Sequence, residues 1–234
     1  MVIRGLIALT LALAAGPGGA AQCRLALALA MDVSSSVDAA EHDLQRGGMA
    51  AALIAPEVER AFFASPMPVA LAVYEWSGRF NQEVLVDWQL IRSPADLYAA
   101  SALVARAPRS QTESPTALGH ALAYGSQLLR RAPPCLARTI DVAGDGENND
   151  GYAPHLAYAH FPFEGVVVNG LVINGADFEA ETGLIPFYRS EVLRGPGAFL
   201  EIAQGFEDYE RAMRRKLERE LSNMVIGAVD RDRK

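Results

Sequence analysis

Apolar runs of strand length, separated by helix-like segments, restrict the possible fold of this chain more than any other feature. Four such runs cover residues 25–31, 69–76, 139–143 and 165–173. They are almost continuously apolar, which is typical of parallel strands buried on both faces. Their alternation with helices predicts an α/β fold, with a doubly wound, mostly parallel sheet and helices on both faces.

Two further segments complete the predicted sheet. Residues 82–88 follow the turn SGRFN and alternate apolar with polar side chains. We therefore expect one antiparallel strand there, at an edge of the sheet. Residues 195–202 are predicted to form a short last strand.

The C-terminal segment has the clearest amphipathic pattern in the chain. Its apolar side chains recur every three or four residues, at Phe206, Tyr209, Met213, Leu217, Leu221 and Met224. The opposite face carries the basic residues Arg211, Arg214, Arg215, Lys216 and Arg219 among acidic ones. We interpret this basic face as solvated rather than as a binding patch.

Length and composition are those of one globular domain. The chain has 234 residues, of which 50% are hydrophobic, enough for a sizeable core. Its formal net charge of -7 argues against nucleic acid as a partner.

The N-terminal residues have the pattern of a cleaved signal peptide. Arg4 precedes the apolar stretch LIALTLALAA, which is too short to span a bilayer, and small residues follow up to Ala21. A buried N-terminal helix is the alternative. We predict a signal peptide at residues 1–21, a single domain at 22–234, and a periplasmic or secreted protein. No other run of 18 uninterrupted apolar residues occurs, so no transmembrane segment is predicted in the mature chain.

The two cysteines, Cys23 and Cys135, each stand just before a predicted strand. In an exported protein such a pair favours a disulfide over a metal site, for which two thiols alone are a poor set. If the two strands are parallel neighbours, their starting ends are adjacent and a bridge fits. We therefore predict a Cys23–Cys135 disulfide.

Polar side chains follow two of the predicted strands and precede a helix. Asp32, Ser34 and Ser36 form a D-x-S-x-S pattern directly after the first strand, and Asp145 follows the strand at 139–143. Thr116 begins a predicted helix after a polar loop. Ligands of doubly wound sheets bind outside the carboxyl ends of the strands. The alternative is that these residues only cap a helix and form a turn.

These motifs resemble the metal-ion-dependent adhesion site of von Willebrand factor type A domains. DVSSSV supplies the D-x-S-x-S segment, PTALGHAL the threonine, and IDVAGDGENN the Asp-Gly turn. The last segment also resembles an uncharacterised group of secreted bacterial proteins with this fold. Ser114-Pro115 stands where the family commonly has two glycines before the threonine.

The resemblance implies a divalent metal, Mg²⁺ or else Mn²⁺ or Ca²⁺, bound by oxygen ligands. The hydroxyls of Ser34, Ser36 and Thr116 would bind the metal directly, and Asp32 and Asp145 would act through water. It further implies a protein partner whose Asp or Glu completes the metal shell. We therefore expect a secreted binding module and not an enzyme; a metal-dependent hydrolase, or a structural domain with a vestigial site, is the alternative.

Other polar residues have less specific interpretations. Asp141 lies inside a strand, where structural hydrogen bonding is favoured over catalysis. Trp76 is predicted to lie in the core, and Asn148 and Asn149 either support the site or form a turn. The four histidines have no metal-ligand spacing and are expected to be surface or hydrogen-bonded residues.

Overall fold

The computed structural model describes residues 21–175 and 181–229, and of residues 181–182 and 223–229 only the backbone. Its centre is a six-stranded sheet in the order β3-β2-β1-β4-β5-β6. All neighbouring strands are parallel except β2 and β3. The strands are β1 Cys23–Asp32, β2 Val69–Trp76, β3 Gln82–Ile91, β4 Cys135–Gly144, β5 Val166–Asn174 and β6 Leu200–Gln204.

Helices cover both faces of the sheet. They are α1 Ala39–Leu53, α2 Pro56–Phe62, α3 Pro94–Arg106, α4 Leu118–Leu129, α5 Pro154–His160, α6 Glu181–Phe187 and α7 Tyr209–Val229. A π-helical turn, Tyr188–Val192, continues α6, and a short 3₁₀ turn precedes α7. Among the described residues, no helix combines the length and apolar character needed to cross a membrane.

Burial on both faces explains the continuous apolar strands. Every residue of β1 and β2 is buried. One hydrophobic core packs α1, α2, α3 and α7 against one face, and a second packs α4, α5 and the π-helical turn against the other. The predicted doubly wound α/β fold with one antiparallel strand is therefore confirmed.

The last strand differs from the prediction. It covers Leu200–Gln204 and not residues 195–202. Gly195 and Gly197 have φ values of 91° and 76°, in the left-handed region that favours glycine, so this stretch turns instead of extending. The predicted signal peptide lies outside the described residues, apart from Ala21, and stays a prediction.

A disulfide joins the starting ends of β1 and β4, as predicted. Cys23 pairs with Cys135 in the parallel register, with their Cα atoms 4.5 Å apart. The bridge lies at the opposite end of these strands from Asp32 and Gly144. It therefore fastens the sheet without contacting the edge at which the polar motifs lie.

The interpretation of the basic face of α7 is wrong for Lys216. Its side chain is fully buried, and Nζ lies 2.8 Å from Oδ1 of Asp141 and 3.9 Å from Oε2 of Glu220. The ammonium also lies 4.5 Å from the ring centre of Phe199. The face of α7 that packs on the sheet is wider than the apolar stripe, because it also includes this charged cluster.

The Glu220 carboxyl makes folding stability depend on pH. Burial, opposed by Lys216, raises its pKa from 4.5 to about 8. Between these values the folded chain holds a proton that the unfolded chain has released, so stability falls as pH rises from about 4.5 to about 8. Glu220→Gln stays neutral and can still accept the bond from Asn169. We expect its melting temperature to change less than that of the wild type between about pH 4 and about pH 9, which lie on either side of both pKa values.

The exposed Glu218 of the same helix provides the control for this measurement. Glu218→Gln removes the same formal charge without touching the buried cluster. The pH dependence of its melting temperature should therefore follow that of the wild type. A Glu220→Gln profile parallel to the wild-type profile would show that this carboxyl does not govern the pH dependence.

Candidate metal centre

The polar motifs meet where the order of the strands reverses. From β1 the chain proceeds to β2 on one side, while β4 lies on the other side of β1. Asp32 ends β1, and Asp145 directly follows β4. In doubly wound sheets the crevice at this switch point is the usual ligand site.

The structure brings all five predicted site residues together. The Ser34 and Ser36 hydroxyl oxygens are 3.1 Å apart, and the Ser36 hydroxyl donates to Oδ1 of Asp145 at 2.8 Å. The Thr116 hydroxyl donates to Ser34 Oγ at 3.2 Å. Oδ1 of Asp32 accepts from the Ser34 backbone N–H at 2.8 Å. Three separate loops thus form one connected cluster of oxygen atoms.

The Thr116 loop is held by the loop that follows β4. The Thr116 N–H donates to the Asn149 side chain at 2.9 Å, and the Gly119 N–H donates to the Asn148 side chain at 3.1 Å. A Cβ at position 119 would collide with the Tyr152 carbonyl, so only glycine permits this approach. The two asparagines therefore support Thr116 and are more than turn formers.

Sequence reasoning missed Arg109, which fixes the D-x-S-x-S loop. Its guanidinium donates to the carbonyls of Val33, Ser34 and Val37 at 3.2, 3.0 and 2.6 Å. Arg109 comes from the polar loop after α3, more than 70 residues away along the chain. No local pattern marks it, because a side chain that binds distant carbonyls has no required spacing.

Glu75 also supports the site and is fully buried. One oxygen lies 3.0 Å from Nε2 of His42, and the other accepts from the Ser110 N–H at 3.0 Å. These bonds connect β2 with α1 and with the loop that carries Arg109. His42 is thus a hydrogen-bonded histidine, and the neighbouring Trp76 lies fully in the core, both as predicted.

Two carboxyl groups lie close together at the cluster, that of Asp32 fully buried and that of Asp145 half-buried. Burial, and then the charge of Asp145, raise the pKa of Asp32 well above 3.8. Burial likewise raises the pKa of Asp145, although the bond from Ser36 opposes the increase. A bound cation would offset this cost, because it favours the ionised form of both groups.

The donor set fits a hard divalent cation. Hydroxyl and carboxylate oxygens are the ligands that Mg²⁺ prefers. Within residues 21–175 and 181–229, no three or more His, Cys, Asp and Glu side chains form a group that could hold a metal ion. The cluster therefore suits an oxygen-bound cation and not a site built from histidine and cysteine.

The fold is that of von Willebrand factor type A proteins. The chain is similar to proximal thread matrix protein 1 from the mussel byssus, in a structure titled "with zinc occupied MIDAS motif" (19% identity, TM-score 0.58, 86% of this chain and 46% of that one). It is also similar to the pilus adhesin SpaC from Lactobacillus rhamnosus GG (12% identity, TM-score 0.61, 86% of this chain and 31% of that one). A third similar structure is a von Willebrand factor type A protein from Catenulispora acidiphila (16% identity, TM-score 0.55, 86% of this chain and 43% of that one).

Residues 22–225 match the family described as "Protein of unknown function (DUF1194)", and the chain belongs to it. The chain spans less than half the length of each of the three structures named above. No curated protein sequence matches it.

Proposed function

We propose that this protein is a secreted, non-catalytic binding module that captures an acidic residue of a protein partner through a divalent metal. The connected oxygen cluster of Asp32, Ser34, Ser36, Thr116 and Asp145 is the observation that carries this proposal. Its members come from three loops that are hydrogen-bonded to one another, so the fold itself brings the cluster together.

The five residues would contribute to metal binding in two ways, according to their charge. Ser34, Ser36 and Thr116 offer neutral hydroxyls to the cation, whereas Asp32 and Asp145 supply negative charge around it. The cation, when bound, supplies a coordination position that a carboxylate can fill. Because the proposed direct ligands are neutral, a partner's Asp or Glu suits that position better than an amide.

An exposed rim beside the cluster favours a protein partner over a small molecule. The Phe80 ring, at the tip of the β2–β3 turn, is 96% exposed. It borders a groove of about 420 Å³ that is also lined by Ser114, Pro115 and the ion pair of Arg79 with Asp150. Pro115 directly precedes Thr116, so a partner at the metal would also contact this rim, where exposed aromatic side chains commonly anchor partners.

The similar proteins support the same function by analogy. They include a byssus matrix protein with a zinc-occupied MIDAS motif and a pilus adhesin. We propose that the bound metal here is Mg²⁺, Mn²⁺ or Ca²⁺, since the donors are all oxygen. We also propose that the chain is exported to the periplasm or beyond, with residues 1–21 as its signal peptide, which suits a protein that carries a disulfide.

Calorimetric titration with Mg²⁺ and Mn²⁺ tests the metal site. We expect Asp145→Ala to abolish binding, because it removes a carboxylate and the acceptor of the Ser36 hydroxyl. Ser36→Ala should weaken binding at least ~10-fold through loss of one proposed direct ligand.

Ser35→Ala is the matched control, because Ser35 lies between the two site serines with its side chain exposed. It should bind metal as the wild type does. Immobilised wild-type protein and the Ser35 variant should capture the same partner in Mg²⁺ and release it in chelator, while the Ser36 variant captures none. A wild type that binds neither cation, or equal capture by the Ser36 variant in chelator, contradicts the proposal.

The absence of catalysis is part of the proposal. In this proposal the hydroxyls of Ser34, Ser36 and Thr116, which bond to one another or to Asp145, are metal ligands and not nucleophiles. His42, the histidine held by Glu75, is itself buried and paired. Turnover of generic phosphate or ester substrates that is lost in Asp145→Ala would instead favour the hydrolase alternative.

A further inference from the structure

Behind the candidate metal centre lie three residues that each have a buried polar atom without a hydrogen bond to the described part of the chain. These atoms are Oδ2 of Asp32, Nε1 of Trp76 and the hydroxyl of Tyr188, and none of them has a partner among the described residues. All three residues are fully buried. Buried polar atoms in folded proteins are nearly always hydrogen-bonded, so a set of three at one place requires an explanation.

The absence of a side chain at Gly144 leaves room for the Tyr188 hydroxyl and the Asp32 carboxylate. A Cβ at position 144 would lie 2.5 Å from the Tyr188 hydroxyl oxygen, 3.0 Å from Oδ2 of Asp32 and 3.4 Å from Cζ2 of Trp76. The phenol and the carboxylate therefore border the same small volume beside the backbone of β4. Gly144 is also the residue before Asp145, so this volume adjoins the oxygen cluster.

The π-helical turn and a second glycine bring Tyr188 to this position. The Leu193 N–H donates to the Tyr188 carbonyl, five residues earlier, and this wider turn starts at Tyr188. A Cβ at Gly170 on β5 would lie 3.0 Å from Cδ1 of the Tyr188 ring. The ring thus lies over β5 and β4 and points its hydroxyl toward β1. Single π-turns often mark functional positions.

Donor and acceptor capacities match across this space. An ionised carboxylate only accepts hydrogen bonds, and a phenol hydroxyl can donate one. Oδ1 of Asp32 is already bonded to the Ser34 N–H, whereas Oδ2 has no bond among the described residues. A donor at Oδ2 would fix both oxygens of the carboxylate and hence the orientation it presents to a cation.

We propose that Tyr188 is a positioning residue of the metal centre, whose hydroxyl donates a hydrogen bond to Oδ2 of Asp32 when the cation is bound. This inference rests on the proposed function. Groups that orient metal ligands typically contribute 10–100-fold to metal affinity. The bond also connects the π-helical turn, on the face of the sheet that carries α4 and α5, to the edge at which the partner would bind.

The experiment compares Tyr188→Phe with Tyr209→Phe in the full chain. Tyr209 is also fully buried and its hydroxyl also lacks a partner among the described residues, but it packs on the opposite face of the sheet. Calorimetry with Mg²⁺ and Mn²⁺ should show binding weakened by roughly 10–100-fold in Tyr188→Phe and unchanged in Tyr209→Phe. The near-ultraviolet tyrosine difference spectrum caused by Mg²⁺ should be present in the wild type and the Tyr209 variant and lost in the Tyr188 variant.

Thermal melting of the metal-free protein distinguishes a positioning role of Tyr188 from a structural one. Tyr188→Phe removes a buried hydroxyl that has no partner, so the metal-free melting temperature should stay equal or rise. A fall in that temperature, or equal metal affinity of the two variants, overturns the role of Tyr188 while the metal site stands. A wild type that binds neither cation overturns the metal site and this inference together.

Discussion

Replacing Lys216 by methionine should destabilise the fold by roughly 3–5 kcal/mol, the cost of leaving one partner of a buried ion pair alone. Nζ of Lys216 is 2.8 Å from Oδ1 of Asp141, and both side chains are fully buried. Glu220, with a carboxyl oxygen 3.9 Å from Nζ, cannot replace the lysine, because a carboxyl group is either neutral or negative like Asp141. Chemical denaturation at pH 7 measures the loss.

Arg215→Met is the control for this experiment, because it removes the basic residue directly before Lys216 in the same helix. Arg215 pairs with Glu201 at 2.7 Å, and its side chain is 44% exposed. Such surface pairs contribute about 1 kcal/mol or less. Adding Asp141→Asn to Lys216→Met removes the unpaired charge and should recover part of the stability. Equal stability of the Lys216 and Arg215 variants would show that the buried pair is not required.

Removing the disulfide should cost roughly 2–5 kcal/mol, because Cys23 and Cys135 close a long loop in the unfolded chain. The two residues are 112 positions apart in the sequence. Denaturation of Cys23→Ser/Cys135→Ser should show this loss, and reduced wild-type protein should match the double variant.

Metal binding by the same double variant tests whether the disulfide lies apart from the oxygen cluster. The disulfide lies at the starting ends of β1 and β4, whereas the oxygen cluster lies at their other ends. The folded double variant should therefore bind Mg²⁺ with wild-type affinity. Reductant should leave the stability of the double variant unchanged. Two alkylatable cysteines in the native wild type would contradict the disulfide.

The order of the site residues along the chain is a property of the sequence. Asp32 lies at the end of one mainly apolar strand and Asp145 follows another, and such strands are typical of a parallel sheet with both faces covered. Their carboxyl ends then share one edge, and so the oxygen donors could be named before any coordinates. The disulfide followed from the same reasoning applied to the starting ends of β1 and β4.

The supporting contacts depend on the tertiary structure alone. Arg109, Lys216 and Tyr188 act on groups that are distant in sequence, and local periodicity contains no information about such partners. The pattern of α7 placed Lys216 on the solvated face, because a lysine in a helix is normally exposed; its burial follows from Asp141, which reaches it from β4. Thus apolar periodicity determined the sheet and the edge that carries the site, whereas packing across the sheet decided which charges are buried and which side chains hold the site in place.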